Sequence, residues 1–363
     1  MSSTVYFAPA KVAKLSAEAT LPAKFERMLE ELDLKEMFDD KRVAVKMHVG
    51  GHIGYTTIHP LFVSMLISKI KEAGGRPFVT DGSSSVGGAK VRGYTEEVIG
   101  APVYPVGGAK DLYFKTKPIG YRSLESVDVA GNIADVDALV VFSHGKGHGH
   151  CGFGGAIKNI AMGCVTAKTR GRIHALIDTE FSWDAEACQH CYVCQENCPG
   201  GAISFRDDTF RIFMHNCRYC MHCVTSCPAH AIEIREEGVR YFQEGMARTT
   251  KAVLDTFEPN RVLYITTLMD ITPLCDCWGF STPSLVPDVG IVASKDIVSI
   301  EQASLDLIKA ENYIEGSLPE QVQMAEEDGH LFWKIWRKDP YLQVETAAEI
   351  GLGSREYELV EIE

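Results

Sequence analysis

Apolar residues alternate with other residues along Val43-Ala44-Val45-Lys46-Met47-His48-Val49, the pattern of a strand. From Leu61 to Ile70 the spacing changes to that of a helix, which should stop before Gly74-Gly75. Pro77-Phe78-Val79-Thr80-Asp81 reads as the next strand, and strand, helix, strand is the βαβ unit of a parallel sheet. Further strands are expected at Ala138 to Ser143, Arg261 to Thr266 and Gly290 to Ser294, with helices at about Tyr241 to Phe257 and Ile297 to Ile308. The pattern predicts the α/β class: a discontinuous parallel-sheet domain of residues 1–183 and 236–363, interrupted by residues 184–235. The tail beyond Asn312, with Trp333 and Trp336, is expected to act as a packing flap.

The interruption is rich in cysteine: eight of the chain's 12 cysteines lie between Cys188 and Cys227. They form two runs, Cys188-x2-Cys191-x2-Cys194-x3-Cys198-Pro199 and Cys217-x2-Cys220-x2-Cys223-x3-Cys227-Pro228, both with bacterial ferredoxin spacing. Three closely spaced cysteines wrap one corner of a cubane with backbone N–H groups turned inward, and a remote fourth thiolate closes the cage. After each run the chain repeats itself, as Pro199-Gly200-Gly201-Ala202-Ile203 and Pro228-Ala229-His230-Ala231-Ile232, which marks an internal duplication. In the two-cluster pattern the fourth cysteine serves the other cluster. Cys188, Cys191, Cys194 and Cys227 are therefore assigned to one [4Fe-4S], and Cys217, Cys220, Cys223 and Cys198 to the second. Zinc is the competing reading of CxxC pairs, but it requires neither the third step nor the Cys-Pro. His190, His215, His222 and His230 are expected beside the clusters rather than on them, because the eight thiolates fill both cages.

Ligands of open α/β sheets meet the carboxyl ends of strands, so the residues that follow each strand are candidates for a site. The first group is Lys46, His48, Gly50-Gly51, His52 and His59, and the second is Asp81 before Gly82-Ser83-Ser84-Ser85. The third runs from Ser143-His144-Gly145-Lys146 through His148, His150 and Cys151 to Gly154-Gly155-Ala156-Ile157-Lys158-Asn159. Glycines expose backbone N–H groups, while lysine and histidine bring charge and proton transfer, a combination suited to a carboxylate or phosphate. Lys158 at a helix start should converge with free N–H groups on one anion. Candidate catalytic groups are His48, Asp81, His144 and Lys158, and parallel topology is expected to bring them into one site. The alternative is a divalent metal on His144, His148, His150 and Cys151. Cys275 and Cys277, on one face of an extended segment, could also meet a ligand or metal, whereas Cys164 reads as a buried apolar group. No GxGxxG is placed directly between a strand and a helix with an acidic residue at the expected distance, and there is no GxxxxGK[ST].

Charge narrows the partners. The 36 Lys+Arg against 49 Asp+Glu leave a net charge of -13, which argues against nucleic acid and against an anionic membrane surface. No apolar run is long enough to span a bilayer and Met1 to Leu21 lacks a signal-peptide core, so a cytoplasmic location is expected.

The chain resembles the iron–sulfur centre proteins of the domain of unknown function 362 family. The residues that carry the resemblance are Val45-Lys46-Met47-His48, Gly152-Phe153-Gly154-Gly155-Ala156-Ile157-Lys158-Asn159, Cys275-Asp276-Cys277 and Pro287-Asp288-Val289-Gly290 through Lys295-Asp296. It implies an inserted α+β two-cluster ferredoxin-like unit in an α/β body. A weaker resemblance joins His148 or His150 and the Gly-Phe-Gly-Gly-x-x-Lys run to the glycine-rich segment of lactate racemase-like proteins, in which Lys158 matches a cofactor-holding lysine. Two functions follow as expectations. In the first, electrons pass through the clusters to a redox partner protein or a pocket. In the second, an oxidoreductase feeds a small anionic substrate or an additional metal site built from Lys46, His148, His150, Cys151, Asn159, Cys275 and Cys277.

Overall fold

The computed structural model describes residues 2–51, 53–177, 181–214, 216–234 and 237–363. His52, His215 and the boundary at residues 235 and 236 lie outside the described residues.

Eight strands form one sheet: β1 (Ser3–Pro9), β2 (Arg42–Lys46), β3 (Arg76–Asp81), β4 (Val103–Pro105), β5 (Ala138–His144), β6 (Val262–Leu268), β7 (Gly290–Ser294) and β8 (Tyr357–Glu361), in the order β8-β1-β7-β6-β5-β2-β3-β4. From β6 to β4 every neighbouring pair is parallel. Strand β7 runs antiparallel to both β1 and β6, so the sheet is mostly parallel rather than wholly so. The reason is the connection: parallel neighbours need a crossover element, and the chain between β6 and β7 carries only a one-turn 3-10 helix, Asp276–Trp278. It returns at the end from which it left, which places Cys275 and Cys277 above the carboxyl end of β6.

Alternation along the strands divides the core. Val43, Val45, Val140 and Phe142 point into one apolar cluster with helices Leu21–Glu31 and Pro60–Glu72. Ala44, Leu139 and Val141 point into the other, with helices Ala156–Gly163, Glu237–Leu254 and Ile297–Leu307. The result is a three-layer α/β/α body. Helix bounds fall within a few residues of the expected ones, whereas the hairpin Phe114–Tyr121 with Leu124–Ala130 has no counterpart in the sequence reading. The tail packs as expected: Trp336 is buried and its indole N–H donates to the Pro273 carbonyl, just before Cys275.

Within the cysteine-rich segment, Phe181–Trp183 pairs antiparallel with Ile232–Ile234, so the segment leaves and rejoins the body at one place. Between those ends lie the hairpin Ile203–Arg206 with Thr209–Ile212 and two single-turn helices, Val193–Glu196 and His222–Thr225.

Candidate functional site

Chain order reverses between β2 and β5, since β3 and β4 lie on one side of β2 and β5 and β6 on the other. A cavity of about 520 Å³ opens over the carboxyl ends of strands at this switch point. Lys46, His48, Asp81, His144, His148, His150, Lys158, Asn159, Cys275 and Cys277 all line it, so the three strand-end groups meet in one place. Lys46 and Lys158 share a face. His59 stands instead at the N-cap of helix Pro60–Glu72, and Cys151 is buried in the core with its sulfur 3.2 Å from His148 Nδ1. Cys164 is buried as well.

Two similar ion-pair groups anchor the floor. In the first, Lys46 Nζ lies 3.0 Å from Asp81 Oδ1, and His48 Nδ1 lies 2.7 Å from Asp81 Oδ2. Asn159 accepts from Lys46 at 2.7 Å and donates to the Ser143 hydroxyl, tying β2 to β5. Gly163 makes room for this lysine, since a Cβ there would stand 2.2 Å from Lys46 Cε. In the second, Lys146 Nζ and His144 Nδ1 approach opposite oxygens of Asp276 at 2.8 and 2.9 Å, and Lys146 also donates to Thr56. Burial opposes charge on both carboxylates, but their cationic partners outweigh it and hold both well below the usual range.

The histidines divide by their surroundings. His144 faces an acceptor with each ring nitrogen, Asp276 on one side and the Met269 carbonyl on the other, so it is committed to structure. His48 keeps Nε2 without a protein partner, and although burial lowers its pKa, Asp81 raises it above the ordinary 6.5. Burial and then Lys158 push His148 well below that value. Burial and neighbouring positive groups bring His150 to about 3 and His174 to about 4, so these rings are neutral.

Lys158 Nζ lies 3.3 Å from the Cys275 sulfur and 3.5 Å from that of Cys277. Burial raises the Cys275 thiol, but hydrogen bonding with Cys277 and the Lys158 ammonium outweigh it and bring the thiol below its ordinary range. Among the described residues, His148, Cys275 and Cys277 are the one group of three or more whose ligand atoms lie within 4.8 Å of one another. They could hold a soft metal ion. The expected anion nest at the helix start is different in the structure: the Ala156 N–H donates to Glu301 Oε1 at 2.5 Å. Glu301 is fully buried beneath Gly155, and burial raises its carboxyl to about 8. A far-off carboxyl therefore takes the helix N–H group, and Lys158 turns to the sulfurs.

The eight run cysteines fall into two sets. Cys188, Cys191, Cys194 and Cys227 line one small cavity, and Cys198, Cys217, Cys220 and Cys223 line another. The backbone repeats too: His190 and Tyr192 in the first run, and Tyr219 and Met221 at the matching places of the second, have φ between 49° and 64°. Non-glycine residues persist in this region where their surroundings fix them, and the conformation turns successive N–H groups to one side. Ala202 N–H donates to Cys198 Sγ at 3.2 Å, and Ala231 N–H to Cys227 Sγ at 3.4 Å.

Sequence reasoning missed the contact between the second set and the strand-end cavity. His150 Nε2 lies 3.4 Å from the Cys217 carbonyl, and the Arg218 guanidinium sits 3.7 Å over the Trp278 ring, which lines the cavity beside Cys277. It also missed Lys146 and Asp276 as an anchoring pair. The available signal was the position of Asp276 between the two cysteines.

No curated protein matches the chain in sequence. Among solved structures, the chain is similar to the lactate racemase apoprotein from Thermoanaerobacterium thermosaccharolyticum, at 10% identity and a TM-score of 0.36, over 74% of this chain and 51% of that one. A structural-genomics protein from Thermotoga maritima is similar at 15% identity and a TM-score of 0.34, over 70% of this chain and 52% of that one. The chain thus spans about half the length of each. Residues 43–306, which include every strand-end group and both cysteine runs, match the domain of unknown function (DUF362), and the chain belongs to that family.

Proposed function

We propose that the chain is an iron–sulfur redox protein. Residues 184–235 form an inserted α+β two-cluster ferredoxin-like unit in the discontinuous α/β domain of residues 1–183 and 236–363. The observation that carries this reading is the crossed lining of the two small cavities, each with three cysteines of one run and the fourth of the other. Cys188, Cys191, Cys194 and Cys227 would hold one [4Fe-4S] cluster, and Cys217, Cys220, Cys223 and Cys198 the second. Bound there, the clusters supply one-electron exchange. The repeated left-handed residues and N–H···S bonds fit such cages. Zinc fits less well: among the described residues, no three of the run cysteines gather within 4.8 Å, as ligands of one tetrahedral ion do.

Electrons would pass between a redox partner protein and the strand-end cavity. A second reading, an oxidoreductase acting on a small anionic substrate there, is favoured by the free His48 Nε2 and by Lys158 and Arg170 in the lining. Cysteines clustered at ligand spacing in a chain of this length suit a cytoplasmic setting better than a secreted disulfide scaffold. No helix among the described residues is long and apolar enough to cross a membrane. Iron and acid-labile sulfide analysis of anaerobically isolated protein tests the proposal: about eight of each per chain are expected. Stoichiometric zinc with little sulfide would overturn it.

A further inference from the structure

Cys275 and Cys277 touch, sulfur to sulfur, at 2.6 Å. The residue between them is held from two directions, because Asp276 binds buried Lys146 through one oxygen and His144 through the other. The 3-10 turn that begins at Asp276 then brings both sulfurs to the same side, with Cys275 buried and Cys277 exposed. The pair differs in this from Cys151 and Cys164, which are single thiols enclosed in the core.

We infer that Cys275 and Cys277 form a dithiol–disulfide couple, placed to receive two electrons from the cluster-bearing segment and to pass them to a two-electron acceptor bound in the strand-end cavity. The inference rests on the cluster reading above for its electron source. Three observations support it. First, the sulfurs already touch at 2.6 Å, so that a bond of about 2.05 Å asks them to close by only about half an ångström. Second, the Lys158 ammonium lies within 3.5 Å of both sulfurs, where it stabilises a thiolate and repels a divalent cation. That ammonium weighs against a metal on His148, Cys275 and Cys277. Third, the segment bearing Cys217 reaches the pair through few groups: Arg218 lies over Trp278, and the Trp278 ring centroid is 5.6 Å from that of His150, which meets the Cys217 carbonyl.

The chemistry balances. In the reductive step the Cys275–Cys277 bond breaks, and two electrons arrive one at a time from a [4Fe-4S]-class donor. Cys277 takes a proton from water at the cavity mouth, and Cys275 remains a thiolate against Lys158. The acceptor then removes the electron pair, the proton leaves, and the bond re-forms. Two one-electron carriers match one two-electron couple. Disulfides in reducing compartments are characteristically transient and catalytic rather than structural.

The test reads sulfur oxidation directly. Trypsin releases Val262 to Lys295 as one peptide whose only cysteines are Cys275 and Cys277. Anaerobic holoprotein, with its iron counted, is poised with mediators at stepped potentials, quenched in acid, alkylated under denaturing conditions, digested and weighed. The peptide should change reversibly from doubly alkylated to unalkylated with loss of two hydrogens. Cys277→Ser should abolish the unalkylated form with iron unchanged, and Cys220→Ser should slow its reductive recovery. A peptide doubly alkylated at every potential with iron intact would overturn the inference and leave the cluster reading standing. So would a stoichiometric non-iron metal that is lost with Cys277→Ser. Protein without iron and sulfide would remove the cluster reading itself, and with it the electron source.

Discussion

His48 and Asp81 are joined at 2.7 Å through Nδ1, which leaves the opposite ring nitrogen without a protein partner at the cavity. A carboxylate that holds one nitrogen fixes the tautomer and aims the other, the arrangement by which histidine exchanges protons with a ligand. Burial lowers the His48 pKa and Lys46 lowers it further, but Asp81 reverses the sum and raises it above 6.5. The contribution of this pair to stability is therefore fully present below 6.5 and is lost as pH rises through the elevated value. In Asp81→Asn the main raising influence is lost, and burial and Lys46 are opposed only by the smaller pull of Asp276. An NMR titration should place His48 above 6.5 in the parent and below it in the variant; a midpoint that does not move would show that Asp81 does not control this ring.

Lys146 is fully buried and its ammonium contacts Asp276 and Thr56 at 2.8 Å, whereas Lys115, paired with Asp135, is more than half exposed. Removal of one partner from a buried pair leaves an uncompensated charge and costs about 3–5 kcal/mol. Loss of an exposed pair costs roughly 0–1 kcal/mol. Lys146→Met should accordingly lower the urea midpoint far more than Lys115→Met. Similar midpoints would mean that the Asp276 turn does not depend on its lysine.

Glu301 supplies a stability signature of opposite sign to an ordinary paired carboxylate. Burial raises its carboxyl from 4.5 to about 8, so between these values the folded chain holds a proton that the unfolded chain has released. Stability from this group falls as pH rises through that window and is level beyond it. Glu301→Gln keeps an acceptor for the Ala156 N–H without a titrating proton. Unfolding free energies measured at intervals from acidic to alkaline pH should show the variant gaining on the parent as pH rises. A constant difference would contradict the buried neutral acid.

The sheet was legible in sequence where each strand carried its own signal. Val43 to Lys46 and Ala138 to Phe142 are rich in apolar residues bounded by turn residues, and their neighbours divide between two apolar clusters as a two-residue period requires. The direction of Gly290–Ser294 was not legible, because a strand's composition does not record which way it runs and only the helix-poor connection from Leu268 hints at it. At the site, residue types at strand ends were enough to gather Lys46, His48, Asp81 and Lys158. Their partners were not legible. Asp276 meets Lys146 and Glu301 meets Ala156 across more than a hundred residues, and such pairs follow from folding rather than from spacing. The second partner is why Lys158 faces sulfur instead of sharing an anion with the helix terminus.

The last prediction separates the two cysteine sets. Cys198 follows the first run in sequence, yet it lines the cavity of Cys217, Cys220 and Cys223, while Cys227 lines that of Cys188, Cys191 and Cys194. Under the proposed ligation, Cys198→Ser replaces one thiolate at the cluster farther along the chain and leaves all four at the nearer one. The altered cluster should then show changed electron paramagnetic resonance and a shifted potential, because cluster potentials respond to ligand and hydrogen bonding, and the Ala202 N–H loses its sulfur acceptor. Cys227→Ser should produce the complementary loss, and the two variants together should perturb both signals. Arg218, beside Cys217 and over Trp278, identifies which signal is which: Arg218→Ala should shift only the one that Cys198→Ser also changes. A Cys198→Ser protein perturbed instead at the signal insensitive to Arg218 would reverse the assignment and return each fourth cysteine to its own run.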